Sequence, residues 1–175
     1  MPADSSCKFE AFCDSNWGGC LQTRRSVTGY LVKFGSAVVS WKSKKQEPVA
    51  RSSAEAEFRS MASVVAELTW LIGLYKELGI TVEVPIHLYC DSKAAIQIAA
   101  NPIFHEKTKH IDIDCHFVRE KIVQGIKQTH HVSTKEQQAD ILTKGLGRQQ
   151  HSHVQAELEG YISTISLREG VETED

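Results

Sequence analysis

The sequence predicts an α/β fold, a mixed sheet with helices on its faces, and three observations carry that prediction. Short runs rich in β-type residues fill the first fifty positions, a helical period of apolar residues begins at Ser52, and helical and extended segments alternate from there to Gly147. A meander of strands followed by alternating helices and strands gives the order β-β-β-α-β-α-α-β-α. Helices packed on a mixed sheet are the stable way to bury the apolar faces of such a series.

The elements follow in order. KFEAFCD, from Lys8 to Asp14, alternates well enough to be a strand, and NWGGCLQTRRS is loop. TGYLVKF and AVVSW, separated by Gly35-Ser36, read as a hairpin. KSKKQEPVARS is a polar, basic connector that contains Pro48. Phe58, Met61, Ala62, Val65, Leu68, Ile72 and Tyr75 then share one face of a helix that ends near Gly79. VPIHLYC is the fourth strand, and DSKAAIQIAA a short helix stopped by Asn101-Pro102. FHEKTKH is a basic loop. IDIDCHFVREKIVQG is amphipathic through Ile111, Cys115, Val118 and Ile122, with Gly125 placed as its C-terminal cap. IKQTHHV is a strand and KEQQADILTKGLG a helix closed by glycines. After Gly147 come a weak helix (HVQAELEG), a short β-like run (YISTISL) and an acidic tail. Trp41 and Trp70 read as core or helix-face residues, and Trp17 as a cover for the sheet edge or a lining of a substrate groove there.

Composition bounds the function. A 175-residue chain that is 41% hydrophobic and 24% charged has enough apolar material for one buried core. A net charge of −2 supplies no global attraction to nucleic acid or anionic lipid, so any such partner must be held by a local patch. Five cysteines without close pairs make neither a disulfide framework nor a zinc motif, and read as reduced, mostly buried thiols. No signal peptide is visible, and no apolar run approaches the roughly 18 residues of a membrane span. The expectation is a soluble, intracellular chain with no membrane partner.

The triplet Cys-Asp-Ser occurs twice, at residues 13–15 and 90–92, each time at the end of a predicted strand. In an α/β sheet functional groups gather beyond the carboxyl ends of parallel strands. If the two strands are parallel neighbours, Asp14 and Asp91 lie side by side, and like charges so placed call for a cation between them. Hard oxygen ligands suit Mg²⁺ or Mn²⁺. The plainer reading of either Asp alone is a cap on the following turn. Among the acids of SSAEAEF, Ser52 and Glu55 have capping-box spacing, a structural role. Glu57 lies about 55° from the centre of the apolar stripe against about 105° for Glu55, so Glu57 is the acid able to face the strand ends. Asp140 sits beside Ala139, Ile141 and Leu142, which by itself marks only the edge of an apolar stripe.

Four acids in the order Asp14, Glu57, Asp91, Asp140 resemble the active site of ribonuclease H. The segments DSNWGGCLQTRRSVTGYLVKFGSAVVSWKSKKQEPVARSSAEAEFRSMA, YCDSKAAIQIAANPIFHEKTKHIDIDCHFVREKI and VSTKEQQADILTKGL are similar to the RNase H domain of copia-type LTR retrotransposon polyproteins, notably those of plants. The resemblance runs from about Phe9 to about Leu158, and SSAEAE, TKHIDI and QQADILTK are its most specific motifs. It implies a five-stranded mixed sheet, with strands 1–3 antiparallel and strands 1, 4 and 5 parallel. It divides the chain into an RNase H domain over residues 1–148 and a C-terminal helix and acidic tail over 149–175. It implies that Asp14, Glu57, Asp91 and Asp140 are metal-binding and catalytic, holding two Mg²⁺ (Mn²⁺ as substitute) about 3.5–4 Å apart. The implied reaction is endonucleolytic hydrolysis of the RNA strand of an RNA/DNA hybrid during reverse transcription, leaving 5′-phosphate and 3′-hydroxyl ends. The implied partners are the hybrid and the reverse transcriptase domain of the parent polyprotein. The implied location is intracellular, in a cytoplasmic virus-like particle with some nuclear presence. Cellular members carry a mobile His in the loop before the last Asp, associated with product release. Here that loop is STKEQQ, and His130 and His131 lie in the strand before it.

Such an enzyme grips its hybrid by the backbones and reads the 2′-hydroxyl across the wide minor groove. Candidate contacts are Lys42, Lys44, Lys45 and Arg51 ahead of the Glu57 helix; Lys107, Lys109 and His110 ahead of the next long helix; Arg24 and Arg25; and Ser15, Asn16 and Ser92 beside the strand ends. The bland alternative for each cluster is a solvated basic face. His105, His110, Cys115 and His116 match no zinc spacing, and Cys115 falls on an apolar face. Two other classes compete with an active nuclease. A module that only binds nucleic acid, or supports a reverse transcriptase, would be expected to have lost an acid. An integrase-like core would be expected to end its set on Glu.

Overall fold

The computed structural model describes residues 8–101 and 109–144. The expectations for Lys107, His105 and the segment beyond Lys144 therefore lie outside the described residues. Five strands form one sheet in the order β3-β2-β1-β4-β5: β1 Lys8–Asn16, β2 Val27–Phe34, β3 Ala37–Lys45, β4 Glu83–Cys90 and β5 Lys127–His131. β1 pairs antiparallel with β2 and parallel with β4, β2 pairs antiparallel with β3, and β4 pairs parallel with β5. This is the mixed sheet expected, with β1 at its centre.

The parallel register sets Cys13 opposite Cys90, so Asp14 and Asp91 leave the sheet at the same edge. Strand alternation then sorts the neighbours. Phe9, Ala11 and Cys13 point with Tyr30, Val32, Ile86, Leu88 and Cys90 toward the helices, while Phe12 points to the opposite face with Leu31 and Ala139.

Helix α1 (Ser53–Glu77) is the main cover of the sheet. Ser52 caps it, its side chain accepting from the Glu55 amide at 3.1 Å. The Glu55 carboxylate folds back as a capping box requires, but it takes the Arg51 amide at 2.9 Å rather than that of Ser52, and also pairs with Arg59. At the other end Gly79 has φ +76, and the Gly79 and Ile80 amides bond back to Lys76 and Tyr75, a closure that favours glycine. The predicted apolar stripe is buried from Phe58 to Leu68 and partly buried at Ile72 and Tyr75, and Val64 and Leu71 are buried beside it. The stripe is wider than one face because α1 packs on the sheet and also against α2 (Lys93–Ala100) and α3 (Lys109–Val123). Phe9, Phe34 and Tyr75 close the far end of the core with ring centroids 4.7–5.0 Å apart. Each fully buried large side chain, such as Phe9, Phe58 or Met61, contributes about 1.5–3 kcal/mol.

Four expectations are corrected. β3 runs on to Lys45 through what reads as a connector, because β2 offers pairing partners as far as Val27 and lysines suit an exposed edge strand. α3 begins at Lys109, so Lys109 and His110 head a helix instead of ending a loop. Trp41 and Trp70 are exposed, on the edge strand and on the outer side of α1. The predicted last helix over residues 135–147 is, within the described residues, a 3₁₀ turn over Gln138–Leu142. Gln137 is the physical reason. Its backbone is extended, its Nε2 donates to the Cys13 carbonyl at 2.9 Å, and its Oε1 accepts from the Ala139 amide. That tether to β1 breaks the helix where it would begin.

Candidate metal centre

The four acids reach the sheet edge from four elements. Asp14 lies near the end of β1, Asp91 directly follows β4, Glu57 is in the second turn of α1, and Asp140 is in the 3₁₀ turn. One carboxylate oxygen each from Asp14, Asp91 and Asp140 lie within 4.8 Å of one another, and a Glu57 oxygen is equally close to Asp91 and to the Cys90 sulfur. Asp14, Glu57 and Asp140 are buried and Asp91 is half-buried. The structure thus brings together all four acids that the sequence singles out, and it separates Glu55 from them, turned to Arg51 and Arg59.

Burial and mutual repulsion leave their mark on protonation. Burial first, then the Asp14 and Cys90 and Asp91 charges, push the Glu57 carboxyl up to about 10. Burial and then Asp14 raise Asp91. Burial raises Asp140 to about 6, against the hydrogen bond from Lys144. Carboxyls held this way are costly to ionise unless a cation joins them. Glu57 Oε2 is buried and has no hydrogen-bond partner. An orphaned carboxylate oxygen beside three convergent carboxylates is a donor set that fits a divalent cation of the hard, oxygen-seeking kind.

Three residues of the last turn were not singled out by the sequence. The Thr143 hydroxyl donates to Asp14 Oδ2, and Lys144 Nζ bonds Asp14 Oδ1 at 3.1 Å and Asp140 Oδ1 at 2.9 Å. Burial works against the Lys144 charge, but Asp140 and Asp14 outweigh it and raise its pKa. Gln137 ties the turn to β1 as described. Lys144 stands four residues after Asp140, but this one-turn spacing is common in surface helices and carries no signal by itself. Gly29 lies opposite Asp14 in the β1–β2 register. A Cβ there would run into the Thr143 side chain and stand 3.1 Å from Leu142 Cβ, so glycine lets the turn approach.

The remaining candidates divide. Ser15 is buried with its hydroxyl unpartnered, and its amide supports Glu57. Asn16 Nδ2 donates to the Thr143 carbonyl at 3.2 Å, so it ties β1 to the last turn. The Ser92 hydroxyl caps α2 by accepting from the Ala95 amide. Lys42, Lys44 and Lys45 line an open groove of about 400 Å³ between β3 and α1, with Arg59 on its other wall. Lys42 lies over the Tyr30 ring at 5.8 Å. Arg24, Arg25 and Arg51 are exposed, and Arg24 has φ 55. The Trp17 indole donates to the Ala50 carbonyl at 3.1 Å and is half exposed. Cys115 is buried in the main core. His131 Nε2 lies 3.1 Å from the Asp91 carbonyl, and His130 pairs with His87 at 2.8 Å on the sheet.

No family model matches the chain. It is 45% identical over 140 residues to the retrovirus-related Pol polyprotein from transposon RE2 of Arabidopsis thaliana, covering 80% of this chain and 10% of that protein. The chain thus spans about a tenth of the length of the curated relatives it matches. Among solved structures it superposes on LC11-RNase H1 in complex with an RNA/DNA hybrid, with TM-score 0.56, 10% identity, and 78% and 94% of the two chains covered. It also superposes on the prototype foamy virus protease-reverse transcriptase, with TM-score 0.52, 11% identity, and 90% of this chain and 20% of that one covered. The two structural likenesses establish the fold, which is that of RNase H domains.

Proposed function

We propose, from the premise that the chain belongs with the copia-type retrotransposon Pol polyproteins as their RNase H domain, that it is a metal-dependent endonuclease cutting the RNA strand of RNA/DNA hybrids. The cuts leave 5′-phosphate and 3′-hydroxyl ends, and the hybrid is delivered by the reverse transcriptase of the same polyprotein. The convergence of Asp14, Asp91 and Asp140 within 4.8 Å supports this reading most directly.

Asp14, Glu57, Asp91 and Asp140 are the residues that would hold two Mg²⁺, with Mn²⁺ as substitute. When bound, such ions activate a water and neutralise charge on the leaving oxygen. The chain's own residues do the rest. Asp14 lies on the paired backbone of β1, and Asp91 leaves the paired end of β4 at Cys90. Thr143 and Lys144 orient Asp14 and Asp140 from the opposite side. Ser60 donates to the Asp14 carbonyl at 2.8 Å and so locks the strand end to α1. Lys42, Lys44 and Lys45 supply positive charge along one open groove, suited to phosphates and indifferent to sequence. Arg24, Arg25, Arg51, Lys107, Lys109 and His110 would add backbone contacts, whereas buried Ser15, Asn16 bound to the Thr143 carbonyl and Ser92 capping α2 would support the site from within.

Cleavage of an end-labelled hybrid in Mg²⁺ and in Mn²⁺ tests this reading, with single-stranded RNA, double-stranded RNA and double-stranded DNA beside it. Cutting of the hybrid's RNA strand alone is expected. Hybrid that is bound and never cut at any concentration of either ion would leave a binding module in its place.

A further inference from the structure

We propose that Glu57, Cys90 and Asp91 form a site for a thiophilic divalent cation, Zn²⁺ or Cd²⁺, that shares two carboxylates with the hard-ion centre. Binding at this site depends only on these donors; its consequence for cleavage rests on the nuclease reading above.

Cys90 is the last residue of β4, and its side chain is fully buried on the α1 side of the sheet. Its Sγ, one oxygen of Glu57 and one of Asp91 lie within 4.8 Å of one another. The Ser92 amide donates to Sγ at 3.4 Å, which fixes the sulfur's direction. Glu57 is more than nine-tenths buried, and its Oε2, the same oxygen left orphaned at the hard-ion centre, lacks any hydrogen-bond partner, so this carboxyl still has a donor atom to give. Cys13 stands opposite Cys90 in the β1–β4 register as a second buried thiol behind it.

The donor types set the ligand class. A cluster of carboxylates alone favours Mg²⁺ or Mn²⁺, whereas a sulfur with two carboxylates shifts preference toward zinc and cadmium. On binding, the thiol and the Glu57 carboxyl each lose a proton to solvent, sulfur–metal and carboxylate–metal bonds form, and no electron is transferred. The ion engages Glu57 and Asp91 together, so it competes with a hard ion for both.

Cadmium titration of the chain tests this, followed by the ultraviolet charge-transfer absorption of a cadmium–thiolate bond. Cys7→Ser and Cys20→Ser are introduced to remove competing thiols. The expected result is a band that saturates at one Cd²⁺ per chain, is lost in Cys90→Ala, survives in Cys13→Ala, and needs more Cd²⁺ when Mg²⁺ is in excess. A band unchanged in Cys90→Ala overturns the proposal. Should Cys90→Ala fail to fold, Glu57→Gln with Cys90 intact is expected to weaken Cd²⁺ binding by roughly tenfold or more. Unchanged affinity in that variant overturns the proposal equally. A chain that gives the band and never cuts hybrid would refute the nuclease reading and leave this site standing; hybrid cutting without the band would do the reverse.

Discussion

The two halves of the acidic centre are built by different means. Asp14 sits on β1 and Asp91 directly follows the parallel β4, and their proximity follows from the register that sets Cys13 opposite Cys90. Asp140 sits on a five-residue 3₁₀ turn held to the sheet edge largely by side chains, with Gln137 on Cys13, Asn16 on Thr143, and Thr143 and Lys144 on Asp14. A sheet spreads the cost of a lost contact over a ladder of hydrogen bonds. A short turn has no ladder, so each tether carries a larger share of its position. The strand half is therefore expected to tolerate mutation structurally and to fail chemically, and the turn half to fail by moving.

The largest effect separates these modes most cleanly. Asp91→Asn is expected to reduce hybrid cleavage by more than about 100-fold, the scale of losing one electrostatic anchor, while the melting temperature holds or rises. Cleavage that survives in this variant would break the site assignment. Next, Gly29→Val drives a side chain into Thr143 and Leu142. A loss of about 1–3 kcal/mol is expected by overpacking, with activity falling because Asp140 is displaced. A thermal melt read beside the cleavage assay checks both, and an unchanged rate would mean the turn is not needed where it lies.

Gln137→Ala removes a buried amide that serves Cys13 and Ala139, and a cost of about 1–3 kcal/mol is expected. Hydrogen exchange is expected to rise across residues 133–144 and to stay constant in β1 and β4. Uniform exchange through both would show the two halves to be one unit.

Glu57 sharpens the electrostatic side. Its folded pKa is raised to about 10 from 4.5, so between those values the folded state binds more protons than the unfolded one. Stability without divalent ion therefore falls as pH rises through that window, by at most about 1.4 kcal/mol per pH unit. Glu57→Gln is expected to flatten this slope in denaturant titrations at a series of pH values. An equal slope in both proteins would show that Glu57 ionises freely. The smallest effect belongs to Glu55→Gln, about 1 kcal/mol or less of stability, with cleavage retained because Glu55 serves Arg51 and Arg59.

Much of this was legible in the chain itself. The alternation of β1, the hairpin at Gly35, the period of α1, the closing glycines at Gly79 and Gly125, and the choice of Glu57 over Glu55 all follow from local rules of spacing and sterics. Those rules act within a few residues, so they survive whatever the rest of the chain does. They misjudged β3, whose lysines are strand residues only because β2 lies alongside, and the width of α1's buried face, which depends on α2 and α3.

Local patterning was enough for the five strands and the first three helices, and it marked Asp14, Glu57 and Asp91, whereas Asp140 was reached only through the family resemblance. The tertiary structure alone decided the 3₁₀ turn, the tethers of Gln137 and Asn16, the clasp of Thr143 and Lys144 on Asp14, and the grouping of Cys90 with Glu57 and Asp91. The physical reason is separation along the chain. Gln137 meets Cys13 across 124 positions and Lys144 meets Asp14 across 130, and a single such bond overrides a helix propensity of only tenths of a kcal/mol per residue.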